Sequence, residues 1–474
     1  MKVLFIEPPK DVWFVMGEYL PPPYGIIQLA AYLEREVRDA QIEILDCNAE
    51  QVEWRGMEKR IEASNPDIVA SSSLATCNTY VVARTLEAAK KVSPKIVTVA
   101  GGQHFTATAQ DSLEVFPEID VIVRGEGEQT LAELVKNSEK KSVFTGIDGV
   151  SFRQKGKIVH NPSRPLIEDL ESLPYPGYHL VKDLVHKYHF AAMSGSRDLP
   201  YQLIEGSRGC SHECSFCTQW RHWQGRWRVK PAKRIADEME FCYQRFGGRF
   251  LWLTDDNLGA GNRVKELADE ILARDMPDMW WFVQARCDDI VRNKDAIPRL
   301  RRSGLRYVLL GVENSEPSTL ESFKKGITPE DVKEAVKLLK KYDIFGHAMF
   351  IIGSRKDTHE SIDRMRRFLD ELDPDFTIFG ILTPFPGSEI YEEAKRNGWL
   401  QDTNWANYDM VHAIMPTETL SIKEVQEELY QCYRAFYGSW NRRLRGIFGR
   451  NELKRRVFWH MTRREIIYQL RNLV

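Results

Sequence analysis

Five short apolar runs open the chain: VLFIE (3–7), IEILD (42–46), DIVASSS (67–73), KIVTVAGG (95–102) and DVIVRGEGE (120–128), each followed by a helical or loop stretch. Strands this short and this continuously apolar belong to a parallel sheet, where crossover helices cover both faces. Residues 1–140 are therefore predicted to form a doubly wound, Rossmann-like α/β domain. The alternation returns over 200–395 with YQLIEGS, FLWLTDDN, WWFVQAR, YVLLGVEN, HAMFIIGS and FTIFGILT, separated by amphipathic stretches such as PAKRIADEMEFCYQRF. Six strand–helix repeats fit a partial (β/α)6 barrel. Residues 141–199 read as a connector, with a hairpin in GIDGVSFRQKGKIVHNP and a proline-punctuated LESLPYPGYHLV, and 396–474 as a mainly helical, basic extension.

Both architectures place function at the carboxyl ends of their strands. In the first domain those ends carry Ser71, Ser72 and Ser73, then Gly101, Gly102, Gln103 and His104, then Gly125, Glu126, Gly127 and Glu128. Small residues there let backbone N–H groups approach a bulky ligand. In the barrel the ends are polar where the strand bodies are apolar: Asp255, Asp256 and Asn257; Gln284 and Arg286; Glu313 and Asn314; Gly353 and Ser354; Thr383 and Pro384. Such caps either meet a ligand or pair with one another around the barrel mouth.

Cys210, Cys214 and Cys217 follow the first barrel strand in the stretch GCSHECSFC, spaced C-x3-C-x2-C, with Phe216 before the last cysteine. Structural zinc closes its tetrahedron with four protein ligands, and no second half-site follows. A [4Fe-4S] cluster takes one ligand per iron, so three thiolates leave one iron open. His212 and His222, the spare ligands nearby, read as surface histidines.

The cysteine loop resembles the signature of the radical S-adenosylmethionine (SAM) superfamily. EPP near the start, LPPPYGIIQLAAYLE (20–34), AGGQHFTATA and RGEGEQTLAEL resemble the cobalamin (B12)-binding domain fused in front of many of its members, so that the likeness covers about residues 1–415. The resemblance implies three cofactors: a [4Fe-4S] cluster on Cys210, Cys214 and Cys217, SAM on its free iron, and cobalamin at the strand ends of the first domain. It implies that Asp255 or Asp256 meets the SAM amino group, Arg286 its carboxylate and Glu313 the ribose; ammonium, carboxylate and diol suit these partners. Two departures stand out. No D-x-H-x-x-G stretch supplies a histidine beneath cobalt, which leaves His104 either a cobalt ligand or a loop cap. After the fifth barrel strand, Gly353-Ser354-Arg355-Lys356-Asp357-Thr358 replaces the family's G-x-P-G-[ED]-T, with two basic residues in a turn that reads as a solvated loop or as a grip on an acidic substrate.

A net charge of −2 with 28% charged residues argues against nucleic-acid binding by the whole chain. Eight cysteines behind an opening apolar run too short for a signal segment suggest a reducing cytoplasm, and no stretch approaches the ~20 apolar residues that span a bilayer. From Ser439 onward there are ten Lys or Arg against two Asp or Glu, interleaved with Trp440, Phe448, Phe458, Trp459 and Tyr468. This tail is expected to pack on the barrel, to touch an anionic membrane peripherally, to dock on an acidic protein, or to close over the active site. The family likeness implies a cobalamin-dependent C-methyltransferase acting on an unactivated carbon through methylcobalamin and a 5'-deoxyadenosyl radical, supplied by an external low-potential electron donor. Compact size and the basic tail suit a peptide or protein substrate, a glutamine of methyl-coenzyme M reductase being one instance. The rivals are a nonmethylating relative, such as a tetrapyrrole cyclase or a lipid-modifying enzyme, and a cobalamin carrier that has no use for the cysteine loop. Trp220, Trp223 and Trp227 wall the cavity or belong to the core, and Cys287 is a substrate-side thiol or inert packing.

Overall fold

The computed structural model describes residues 1–9, 17–137 and 144–471, with side chains as far as 464. The expected domain boundary at 140/141 and the side chain of Tyr468 lie outside the described residues. The first sheet has seven strands: β1 (Lys2–Glu7), β2 (Gln41–Asp46), β3 (Ile68–Ser72), β4 (Val97–Gly101), β5 (Val121–Val123), β6 (Val150–Gln154) and β7 (Lys157–His160), in the order β2-β1-β3-β4-β5-β6-β7. The first five are parallel, as their apolar runs require. The hairpin β6–β7 adds antiparallel to β5, so the first part of the expected connector continues the sheet. Its register sets Val150 and Phe152 into the core shared with Val121 and Val123, which is why it is drawn in.

The second sheet is an open parallel barrel of β8 (Tyr201–Ile204), β11 (Phe250–Leu253), β12 (Trp280–Arg286), β13 (Leu305–Glu313), β14 (Phe345–Ile352) and β15 (Phe376–Ile381), in the order β15-β14-β13-β12-β11-β8. Two short strands, β9 (Ser207–Arg208) and β10 (Arg228–Val229), pair antiparallel beside it. The lower barrel interior is filled with rings: Phe250 stacks on Phe282 at 4.9 Å and Tyr307 on Phe345 at 4.6 Å between centroids. The rings leave little space inside the lower barrel itself.

An open barrel leaves edge strands with unpaired backbone groups. Helix Ile422–Tyr437 closes β15 with two tyrosine hydroxyls four residues apart, on one face of the helix. Tyr437 Oη accepts from Thr377 N (3.2 Å) and donates to Thr377 O (2.6 Å). Tyr433 Oη likewise accepts from Phe379 N (3.3 Å) and donates to Phe379 O (3.0 Å), and Ile381 N donates to Met410 O (2.7 Å).

The basic tail packs at the opposite end from the strand carboxyl termini. Arg442 and Arg445 pair with Asp373, and Lys454 with Asp375, just ahead of β15. Leu453 and Val457 bury into the ring-filled interior. The expectation that the tail closes over the active site is therefore corrected: it floors the barrel. Trp440, Phe448 and Trp459 remain exposed, and no helix among the described residues is long and apolar enough to cross a membrane.

Replacing Tyr433 and Tyr437 together by Phe strips the partners from two N–H and two C=O groups of β15. Each loss costs about 1–3 kcal/mol. The expected outcome is a lower thermal midpoint, with new proteolytic cleavage around 376–381 as its local signature.

Candidate active site at the domain junction

The cysteine loop hangs from β8 by a carboxylate. Asp255, at the end of β11, accepts the N–H groups of Gly206 (2.7 Å) and Ser207 (2.8 Å) on one oxygen and pairs with Arg263 (2.9 Å) through the other. At Gly209 φ is +91°, and an added Cβ would lie 2.0 Å from Arg226 O, so only glycine lets the chain turn into the loop. Beyond it Cys214 is buried and Cys210 and Cys217 are half-buried. The loop is held by Ser215 N to Phe323 O (3.0 Å), Ile390 N to Ser215 O (3.1 Å) and Trp220 Nε1 to Cys214 O (3.1 Å). Phe216 packs its ring against Phe323 at 5.1 Å.

The thiols feel one another electrostatically, and burial raises the pKa of each, that of Cys217 to about 12. Three thiols on one loop, with the N–H of Gln219 already donating to Cys217 Sγ (3.4 Å), are a donor set that fits a cluster taking one thiolate per iron. His212 and His222 are not the surface histidines expected. Both are half-buried, His222 against Trp223 (4.6 Å), and burial pushes their pKa values down, His222 to about 4.

Around the loop the barrel ends divide into committed and free groups. Asp255 is committed. Asp256 beside it is half-buried, and desolvation together with the Asp255 charge raises its pKa to about 7; Trp223 and the Gly209 N–H oppose the rise. A partly desolvated acid with this need of a counter-charge suits an ammonium. Arg286 spends Nε on Asp288 (2.9 Å) and Nη2 on Lys325 O (2.6 Å), while Nη1 is buried without a partner. Asn257 positions it by accepting the Arg286 N–H (3.1 Å). Glu313 follows a bulge at Gly311 with φ +65° and pairs with the buried Lys325 (2.5 Å). Burial disfavours that ammonium, but Glu313 and the Cys214 thiol hold the Lys325 pKa above its usual value.

Lys325 was not legible in the sequence, where it stands beside Lys324, an exposed residue paired with Glu389. Cys287 is fully buried inert packing. Of the two basic turn residues, Lys356 is exposed, whereas Arg355 donates to Pro416 O (2.5 Å) and lies over the Trp399 ring (4.4 Å), so it is a structural pin.

On the facing domain, the Ser71 hydroxyl donates to Ile6 O (2.9 Å) and that of Ser73 to Ala75 O (2.6 Å); Ser72 is half-buried. At Gly102 φ is +93° and a Cβ would meet Ser73 O at 2.4 Å, whereas Gly125, at φ +70°, has open space around it. Gly101 sits against Val123 O and Gly127 against Leu29. His104 is buried beneath Trp405 (4.7 Å between rings), with Nδ1 3.2 Å from Thr76 Oγ1 and Nε2 buried without a partner; burial lowers its pKa to about 4, so the ring is neutral. An orphaned imidazole nitrogen and a glycine crevice fit a large buried cofactor.

Three side chains expected at that cofactor point elsewhere. Glu126 and Glu128 take up Arg208 (2.6 Å each), and Gln103 donates to Gln219 (2.6 Å). Their carboxylates and amide face the barrel because Arg208, flanking the cysteine loop, presents a buried guanidinium there.

Thiols for a cluster on one side of the junction and a crevice for a bulky cofactor on the other define a two-cofactor redox enzyme. A B12 binding domain model matches residues 15–135 and a Radical SAM superfamily model residues 204–369. An uncharacterized methyltransferase of Pyrococcus horikoshii is 30% identical over 92% of each chain. The anaerobic magnesium-protoporphyrin IX monomethyl ester cyclase of Cereibacter sphaeroides is 30% identical over 92% of this chain and 70% of its own. The radical SAM methyltransferase TsrM of Kitasatospora setae, solved with cobalamin and a [4Fe-4S] cluster, shares the fold with a TM-score of 0.71 at 19% identity, over 92% of this chain and 88% of that one. The chain belongs to the cobalamin-dependent radical SAM methyltransferase family, whose cofactors are the [4Fe-4S] cluster, SAM and cobalamin.

Arg286→Gln removes the guanidinium whose Nη1 is buried without a partner, while the thiols stay in place. If Arg286 meets the SAM carboxylate, as the family resemblance implies, losing a charged hydrogen bond of about 1.5–3 kcal/mol is expected to weaken SAM binding roughly 10- to 150-fold. Titration of the iron-loaded protein with SAM, followed by the change in the cluster's EPR signal, measures it.

Proposed function

We propose that this enzyme methylates an unactivated carbon of its substrate. The observation that supports the reading best is the convergence, at one junction, of the thiol triad, the Asp256 carboxylate, the unpartnered Nη1 of Arg286, and the glycine crevice holding His104. When bound, the cluster supplies a low-potential electron from an external donor, SAM both the methyl group and the hydrogen-abstracting chemistry, and cobalamin the methyl carrier.

The residues bind, orient and exclude water. Cys210, Cys214 and Cys217 each hold one iron. Asp256 would accept the SAM ammonium, Arg286 Nη1 would donate to its carboxylate, and Glu313, steadied by Lys325, would take the ribose hydroxyls. Ser72, Gly101, Gly102 and Gly125 line the corrinoid side, where the backbone can come close. Asp255, Asn257 and Gly209 fix these groups without touching a ligand. Trp220 and Trp223, half-buried over the loop, screen the junction from solvent.

The basic tail gives a peptide or protein substrate no support, since it lies at the far end of the barrel. Nor does any residue at the mouth single out a glutamine side chain. A second reading, a radical cyclase that moves no methyl group, is favoured by the 30% identity to the cyclase of Cereibacter sphaeroides.

The test is anaerobic reconstitution with cluster and cobalamin, a low-potential reductant and SAM carrying a deuterated methyl group. Label on the corrinoid together with S-adenosylhomocysteine supports the methyltransferase; SAM cleavage to 5'-deoxyadenosine without label transfer supports the cyclase. Cys210→Ala is expected to abolish 5'-deoxyadenosine formation and to leave cobalamin bound.

A further inference from the structure

The cysteine loop is tied to the cobalamin-binding domain at both of its ends. Arg208 stands two residues before Cys210 and Gln219 two residues after Cys217. Arg208 gives Nη1 to Glu126 (2.6 Å), Nη2 to Glu128 (2.6 Å) and Nε to Glu205 (2.9 Å), all largely buried. Arg228, from the strand paired with β9, gives Nη1 to both oxygens of Glu126 (2.9 Å each) and to Ile167 O (2.6 Å), while Ile167 N donates to Glu126 (2.6 Å). Burial alone would raise the Glu128 pKa, but the Arg208 charge holds it below the ordinary range. At the other end Gln219 Oε1 accepts from Gln103 Nε2 (2.6 Å) and from Trp223 Nε1 (3.2 Å). The Trp223 ring lies within cation–π reach of both arginines, at 5.9 Å and 5.3 Å, which joins the two ties into one frame.

Glu126 and Glu128 directly follow the Gly125 turn at the end of β5, and Gln103 directly follows Gly102 at the end of β4. The crevice of one domain and the thiol loop of the other are thus fastened through their own rims. We propose that Arg208, with Glu126 and Glu128, and Gln219, with Gln103, are positioning residues that set the separation and orientation of the cluster relative to the corrinoid. A buried ion-pair network is weak as a source of stability but strong as a device for fixing one arrangement, because every other register strands a charge. Arg208 fits this task because a planar fork addresses two carboxylates at once, which an ammonium cannot do.

The inference rests on the proposed function, yet its readout needs neither substrate nor methyl transfer. The experiment compares wild type, Arg208→Lys, the double variant Glu126→Gln with Glu128→Gln, and Gln219→Ala, each loaded with cluster and cobalamin and poised with both Co(II) and the reduced cluster paramagnetic. The magnetic interaction between the two centres, read as dipolar broadening of the EPR lines, reports their separation. Wild type is expected to show one narrow interaction; the variants, with unchanged iron and cobalamin contents, a weaker or spread one. Gln219→Ala leaves no buried charge unpaired, so it reads the same distance even if the glutamate variants fail to fold. An unchanged dipolar interaction in cofactor-replete Gln219→Ala and Arg208→Lys overturns the proposal. If the interaction weakens but no methyl transfer is seen even in wild type, the positioning role stands and the methyltransferase reading falls.

Discussion

A guanidinium buried between two domains dictates how they sit. Arg208 is surrounded by Glu126, Glu128 and Glu205, and Glu126 is shared with a second buried guanidinium, that of Arg228. Any shift of the cobalamin-binding domain over the barrel strands at least one of them, so the junction tolerates one docking. The carboxyl ends of two parallel sheets, the two places where α/β folds keep their ligands, are thereby turned toward each other.

The rest of the barrel supports that junction by filling the interior beneath it. Rings from β8, β11, β12, β13, β14 and β15 fill the interior below the site, and Leu453 and Val457 of the tail extend that packing to the floor. Tyrosine hydroxyls satisfy the free edge of β15, so an incomplete barrel survives without its missing strands. At the opposite end, the mouth, lie the Asp256 carboxylate and the unpartnered Nη1 of Arg286.

Both sheets were legible because buried parallel strands announce themselves as short apolar runs, and all eleven of the runs read as strands form them. The thiol loop was legible because its spacing is chemistry in itself. Partnership was not legible. The acids of RGEGE read as ligand contacts because they follow a strand, and only the arrival of Arg208 from 80 residues away reassigns them. Arg355 looked like half of a solvated basic turn until Trp399 lay beneath it. The tail's charge pattern was compatible with packing, membrane contact, docking on an acidic protein or a lid until the acids it meets were known; Asp373 and Asp375 draw it to the barrel floor and rule out the lid.

By itself the sequence determined the two parallel architectures, the open coordination position of a three-cysteine cluster and the small residues at the crevice, because these depend on local periodicity, ligand spacing and the steric demands of a single residue. The tertiary structure alone decided which of Asp255 and Asp256 is spent on backbone N–H groups, which nitrogen of Arg286 is left over, that Lys325 stands by Glu313, and that the loop is bracketed from the neighbouring domain. Those outcomes turn on which charges and donors find each other across long stretches of chain, and that pairing is set by the energy of burial in the folded state rather than by any pattern along the sequence.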